Sequence, residues 1–192
     1  MKLEFFLPFK PFYVTQAWGV PHPEYPKEFG FTRHNGIDTA TTIGAQEWDF
    51  YAPIDCIAIQ SGYSVSAGPF VKLLSLNEYD WDDGTKSRVL IEVFHNKAIY
   101  ATEGKQYGVG RLISRCDNQG YSTGPHAHIG TYRVSWDGFR VTKLDQNEAN
   151  GSFDPKPYLS KLYAQDFRSF QDKIAELAVK VAELIKQWQT SS

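Results

Sequence analysis

Cysteine is scarce in this chain of 192 residues, with Cys56 and Cys116 the only two. Two thiols build no disulfide framework, and neither has a second cysteine at the short spacing of a thiolate metal site. Both are expected to be free and half-buried, as small hydrophobes. An excess of one charge is also lacking: 20 Lys and Arg against 22 Asp and Glu leave a formal net charge of −2. Without a basic surplus to neutralise phosphates, no nucleic-acid partner is expected. Long apolar runs are missing too. The opening stretch MKLEFFLPFKPFYV is broken by Pro8, Lys10 and Pro11 before it reaches signal length, and no small-residue cleavage site follows. Nothing approaches the ~20 apolar residues of a membrane span. The expectation is synthesis in the cytoplasm without a signal peptide, and no membrane insertion.

What the chain does have is a hydrophobic content of 42%, enough for one domain with a sizeable core. Between Phe12 and Tyr132, short apolar runs such as FVKLLSL, RVLIEVFH and HAHIGTYRV alternate with Gly, Pro, Asn and Asp. Runs of this length, rich in Val, Ile, Tyr and Phe, predict a mainly β fold built from antiparallel strands. Asp83-Gly84 predicts a tight hairpin turn. The neighbouring Asp80 and Asp82 lack the remaining ligand spacing of a calcium loop.

After Asp154-Pro155-Lys156-Pro157 the pattern changes. Phe167, Phe170, Ile174, Leu177, Val181, Leu184 and Trp188 recur at alternating intervals of three and four, an apolar seam of coiled-coil type. The expected division is a β domain over 1–160 and a C-terminal amphipathic helix over 161–192. Such a seam must pack either on the chain's own β domain or on another helix, in which case the chain is a homo-oligomer.

Chemistry concentrates in the histidines, of which there are five. His34 and Asp38 lie four apart around Asn35-Gly36, a turn signal, and His126 and His128 lie two apart in a strand-like run. Side chains two apart in a strand share a face, so both imidazoles can converge on one point. Imidazole nitrogen and carboxylate oxygen suit zinc, and a catalytic zinc site uses three protein ligands with one open position. His22, in the VPHPEYP loop, has no motif partner and is expected to face solvent.

These residues resemble the signature of the lysostaphin-type zinc peptidases, which include LytM-like peptidoglycan endopeptidases. That signature is His-x-Gly-x-Asp, here His34-Asn35-Gly36-Ile37-Asp38, then a middle histidine, then His-x-His after a Ser-Thr-Gly-Pro-like loop, here Ser122 to His128. TQAWG at 15–19, FYAPIDCIAI at 50–59 and FDPKPYL at 153–159 are similar to further family segments, so the resemblance covers about residues 12–160. One departure stands out. The family's middle histidine sits in Tyr-x-His-Leu, whereas Tyr100-Ala101 is followed here by Thr102. The family's spacing, counted back from the glycine of the next strand, Gly110, falls instead on His95.

The resemblance implies an antiparallel β-sheet or sandwich core and one zinc ion per chain. It makes His34, Asp38 and His128 the metal ligands, and His95 and His126 the groups that handle protons and developing charge. Zinc would lower the pKa of a bound water to about 7, which removes the need for a serine or cysteine nucleophile. The implied substrate is the peptide stem or cross-bridge of bacterial peptidoglycan, so the chain would act at the cell wall. A phage or prophage lytic enzyme fits the expected absence of a signal. Two alternatives stand beside this reading. A non-catalytic wall-binding relative would lack metal ligands, but every ligand position is filled. A zinc D-Ala-D-Ala-type carboxypeptidase would show an acidic residue shortly before the His pair, and 119–125 carry no charge.

Overall fold

The computed structural model describes residues 1–21 and 30–190, with side chains through Lys186. His22 and the side chain of Trp188 therefore lie outside the described residues. The strands, in chain order, begin with β1 (Phe5–Leu7), β2 (Tyr13–Gln16), β3 (Ile37–Ala40), β4 (Trp48–Tyr51) and β5 (Cys56–Ser64). They continue with β6 (Gly68–Ser75), β7 (Tyr79–Asp80), β8 (Lys86–Phe94), β9 (Asn96–Ile99) and β10 (Gln106–Tyr107). The last are β11 (Leu112–Cys116), β12 (Ala127–Trp136), β13 (Val141–Lys143) and β14 (Leu159–Tyr163), followed by the helix α1 (Ala164–Thr190).

The main sheet runs β10-β5-β6-β8-β12-β3-β2, with β7 on β8 and β13 on β12, and a smaller sheet runs β4-β11-β9. All of these pairings are antiparallel; β1 and β14 form a parallel pair. In β6, β8 and β12 one face is apolar: Val71, Leu73, Val89, Ile91, Val93 and Ile129 join one core cluster with Phe50 and Ile113 of the smaller sheet. That burial is what holds the two sheets together.

The Asp83-Gly84 turn forms as predicted and connects β7 to β8, with the Asp83 carboxylate accepting from the Thr85 amide at 3.0 Å and its hydroxyl at 2.6 Å. Tyr79 and Trp81 beside it are core residues. Trp81 Nε1 donates to Ser87, and its ring meets Phe153 and Tyr158 of the FDPKPYL segment. Both cysteines are free but fully buried, a correction to the half-buried expectation. Burial, reinforced by Asp55, pushes the Cys56 thiol up to about 12. Burial also raises the Cys116 thiol, with Asp49 adding to it.

The seam on α1 does not dock on the β domain. Only the first turn is tied down: Ala164 is buried, the rings of Phe167 and Phe6 lie 4.4 Å apart, and Lys10 pairs with Asp166 at 3.2 Å. From Ser169 to Lys186 every residue is exposed, including Phe170, Ile174, Leu177, Val181 and Leu184. The reason lies in the connection. The helix begins at the residue after β14 ends, so no loop reverses the chain and turns the seam inward. Among the described residues no helix is long and apolar enough to cross a membrane.

Candidate metal centre and cleft

The centre is built where β3 meets β12. Asp38 and His128 are directly opposed in that ladder, which fixes both side chains on the same face of the main sheet. His34 arrives from the loop before β3. Its Nε2 lies 3.1 Å from Asp38 Oδ1 and 3.1 Å from His128 Nδ1, and His128 Nδ1 lies 3.0 Å from Asp38 Oδ1. Gly36 does not serve here through a turn angle, as its place beside Asn35 suggested. It serves through close approach: a Cβ there would stand 2.5 Å from the Ile129 carbonyl oxygen and 2.8 Å from His128 Nε2. Only glycine lets this loop lie flat on β12.

The protons of this cluster argue for a cation. His34 Nδ1 lies 2.9 Å from the Ala17 carbonyl, an acceptor only, so that nitrogen carries the hydrogen and the neutral ring presents a lone pair at Nε2. Asp38 brings a carboxylate. Burial works against its ionisation, but the two imidazoles beside it, His128 and His34, favour the charged form and hold its carboxyl well below the usual range. His128, whose Nε2 is buried without a hydrogen-bond partner among the described residues, has its protonation disfavoured by burial, opposed by Asp38. Three electron-pair donors thus crowd one point with too few protons to join them. One carboxylate and two imidazoles are a donor set that zinc accepts, and these residues fit that ion.

His126 and His95 flank the centre. His126 sits just ahead of β12, with Nε2 3.6 Å from Asp38 Oδ1 and Nδ1 2.8 Å from the Gly124 carbonyl and 3.1 Å from the Ser122 hydroxyl. His95 joins β8 to β9 at φ 62°, a left-handed conformation that is unusual outside glycine and that collects at functional sites. It is 6% exposed, with Nδ1 2.6 Å from the Gln119 carbonyl and its ring centroid 4.5 Å from that of His126. In both rings the bond to a carbonyl puts the hydrogen on Nδ1 and leaves Nε2 as an acceptor. Burial, with the neighbouring His126 adding to it, pulls the His95 imidazole down to about 4.

All five predicted residues line one cleft of about 450 Å³. The cleft also holds residues that motif reading passed over. Phe94 stacks on the His128 ring at 5.1 Å, and Glu92 and Asn35 lie at its floor. Glu92 had a signal, since it is the acid that interrupts the apolar run RVLIEVF in β8.

No family model matches the sequence, and no curated protein matches it. Solved structures do, and they show that this chain has the lysostaphin-type peptidase fold. The catalytic domain of the antimicrobial peptidase lysostaphin from Staphylococcus simulans aligns with a TM-score of 0.53 and 20% identity, covering 77% of this chain and 91% of that one. The catalytic domain of the prophage-encoded EnpA from Enterococcus faecalis gives 0.54 and 19% over 80% of this chain and 97% of its own. A zinc-containing peptidase from Vibrio cholerae gives 0.53 and 21% over 80% of this chain and 39% of its own.

Proposed function

We propose that this protein is a zinc-dependent endopeptidase that hydrolyses peptide bonds in the stem or cross-bridge of bacterial peptidoglycan. The observation that carries the reading is the convergence of His34, Asp38 and His128, donor atoms 3.0–3.1 Å apart, beside a second pair of histidines in an open cleft. Those three residues would hold one zinc ion per chain, and when bound it supplies Lewis acidity toward a carbonyl and acidifies water. The rest falls to the chain. Water is the nucleophile, and His126 and His95, each with Nε2 bare and Nδ1 tied to a backbone carbonyl, accept and return its protons. Phe94 and the Gln119 carbonyl keep the rings of His128 and His95 from turning away.

The substrate class is taken from the neighbours. Lysostaphin is described as an antimicrobial peptidase and EnpA as prophage-encoded, which supports a cell-wall substrate and a phage or prophage lytic role. A carboxypeptidase-like mechanism would need a free carboxylate as base. The second acid in the cleft, Glu92, is already engaged by Lys72 at 3.1 Å. The exposed seam of α1 supports a homo-oligomer formed through that helix. Ile174 and Val181 fall at one seam position and Leu177 and Leu184 at the other, the choice that favours two parallel strands.

The test is hydrolysis of defined muropeptides by purified protein, followed by mass spectrometry. New amino termini should appear with zinc and vanish on chelation. Cleavage that survives complete zinc removal would overturn the reading.

A further inference from the structure

Beneath the metal centre lies a buried polar chain that the proposed chemistry does not use. Asn35, 7% exposed, donates from Nδ2 to the Tyr132 hydroxyl at 3.0 Å. Tyr132, fully buried in β12, has its hydroxyl on the side of the Glu92 carboxylate, which takes the ammonium of Lys72 at 3.1 Å. Lys72, Glu92 and Gly130 form one cross-strand row over β6, β8 and β12. The row passes directly under the loop that carries His34.

Gly130 shows how closely that loop is seated. A Cβ there would meet the Tyr132 hydroxyl at 3.2 Å and the Asn35 carbonyl oxygen at 3.4 Å. Together with Gly36 against Ile129, this leaves Asn35 and Gly36 pressed on β12 with no side chain between. Among the described residues, Tyr132 is then the one side chain that reaches Asn35 by a hydrogen bond. Burial and Glu92 hold the Tyr132 hydroxyl protonated far above its ordinary range, so it can donate to Glu92 while accepting from Asn35.

Resting on the zinc reading above, we propose that Tyr132, fixed by Glu92, is a positioning residue that anchors Asn35 and thereby sets the place of His34 in the metal centre. It touches neither the ion nor a substrate. Its effect runs through one hydrogen bond to the residue next to a ligand, as outer partners of metal ligands do. The Glu92–Lys72 pair keeps the hydroxyl pointed: a charged acceptor makes the stronger bond, and a buried carboxylate without Lys72 would cost more than it contributes.

The experiment measures zinc affinity by competition with a chromophoric chelator, together with the visible absorption of the cobalt-substituted protein. The full chain is compared with Tyr132→Phe, Asn35→Ala, their double variant and Glu92→Gln. Tyr132→Phe keeps the ring and its contact with Lys143, whose ammonium lies 3.6 Å from the centroid. Each single variant at Tyr132 or Asn35 should weaken zinc binding by ~10–100-fold and alter the cobalt spectrum. The double variant should lose no more than the worse single one, because both remove the same bond. Glu92→Gln, which can still accept from the hydroxyl, should fall between wild type and Tyr132→Phe.

Wild-type affinity in a folded Tyr132→Phe, or additive losses in the double variant, would overturn the anchor while leaving the zinc site in place. Should Tyr132→Phe fail to fold, Asn35→Ala carries the decision alone, and unchanged zinc affinity there overturns the proposal. A wild-type protein that binds no zinc would overturn the underlying reading, and the anchor with it.

Discussion

The two faces of the main sheet, across the same three strands, obey different rules. On one face β6, β8 and β12 present Val71, Leu73, Val89, Ile91, Val93 and Ile129, and neighbours there are interchangeable within limits of volume. On the other, Leu74, Leu90 and Val134 close round the Tyr132 ring as a smaller apolar cluster, and toward the metal centre this gives way to Lys72, Glu92, the Tyr132 hydroxyl and His128, a polar stretch with named partners. The first face is stabilised by area removed from water, a term without direction. The polar stretch of the second is stabilised by direction, and each of its groups costs free energy when its partner is lost. A side chain replaced on the first face therefore changes how much protein is folded, and one replaced on the second changes what the folded protein can hold.

The sharpest way to break that contrast is to empty one position on each face. His34→Ala, Asp38→Ala and His128→Ala should each lose most of the bound zinc, where wild type holds about one per chain, and with it peptide hydrolysis. Ile91→Ala, a residue away from Glu92 and on the core face, should cost about 2–5 kcal/mol of stability yet leave the folded fraction with its full zinc. Metal analysis and denaturant titration on the same samples separate the two. Full zinc in His128→Ala would undo the ligand assignment.

Next in size come the two flanking histidines. His95→Ala and His126→Ala should keep zinc and lose about 10²-fold or more in turnover, the scale of a positioned proton acceptor. Near wild-type cleavage by His95→Ala would show that the middle position is not His95.

The pH dependence of the zinc-free protein sharpens the contrast further, because only the polar face titrates. His95 has its pKa lowered from 6.5 to about 4, so the unfolded chain binds a proton there before the native one does. Its contribution is fully present above pH 6.5 and is lost as pH falls toward 4, roughly 3 kcal/mol in all. Asp38, also lowered, adds a second loss below its unfolded value near 3.8. Denaturant midpoints between pH 7 and 4 should fall for wild type and fall less for His95→Asn. Equal slopes would show that His95 does not titrate abnormally.

The two faces also differ in how far the sequence discloses them. Alternation in FVKLLSL and RVLIEVF was enough to place strands, since a buried face writes itself as every second residue. The polar face has no period. His34, Asp38, His126 and His128 were legible because their spacing matches a known signature, and His95 only through spacing from Gly110. Asn35, Tyr132 and Glu92 belong to no motif, and their partnership exists only once β8, β12 and the loop before β3 are side by side. Gly36 was read as a turn residue because Asn-Gly suggests one; its actual constraint, the backbone of Ile129, lies some ninety residues on in the chain and is invisible locally. The short strands β1 and β14 escaped for a similar reason: three and five residues form a strand only by pairing with each other.

Gly36→Ala tests that constraint against a matched control. The added methyl must displace the Ile129 carbonyl or the His128 ring, which should cost about 1–3 kcal/mol and weaken zinc binding in the same protein. Gly124→Ala, with nothing within 4 Å of the added atom, should be near neutral in stability. Thermal melts and chelator competition on both variants decide it, and a tolerated Gly36→Ala would mean that the loop can lift from the Ile129 backbone at little cost.

The smallest effect is expected where neither rule of the sheet applies, on α1. Its seam from Phe170 to Leu184 is exposed throughout, so removing it should leave zinc binding and monomer stability within about 0.5 kcal/mol of the full chain. The cut has to spare the first turn, because Phe167 packs on Phe6, and Gly110 lies so close to Ala164 and Arg168 that the helix start closes the core there. Truncation after Ser169 meets that condition. Five large apolar side chains left in water are each worth about 1.5–3 kcal/mol on burial, a strong drive to pair with a second copy. Sedimentation should therefore show a full-length dimer and a truncated monomer of equal melting temperature at low concentration. A truncated protein of unchanged mass would show that the seam serves no self-association, and a lower melting temperature with unchanged mass would mean that the helix docks on its own β domain after all.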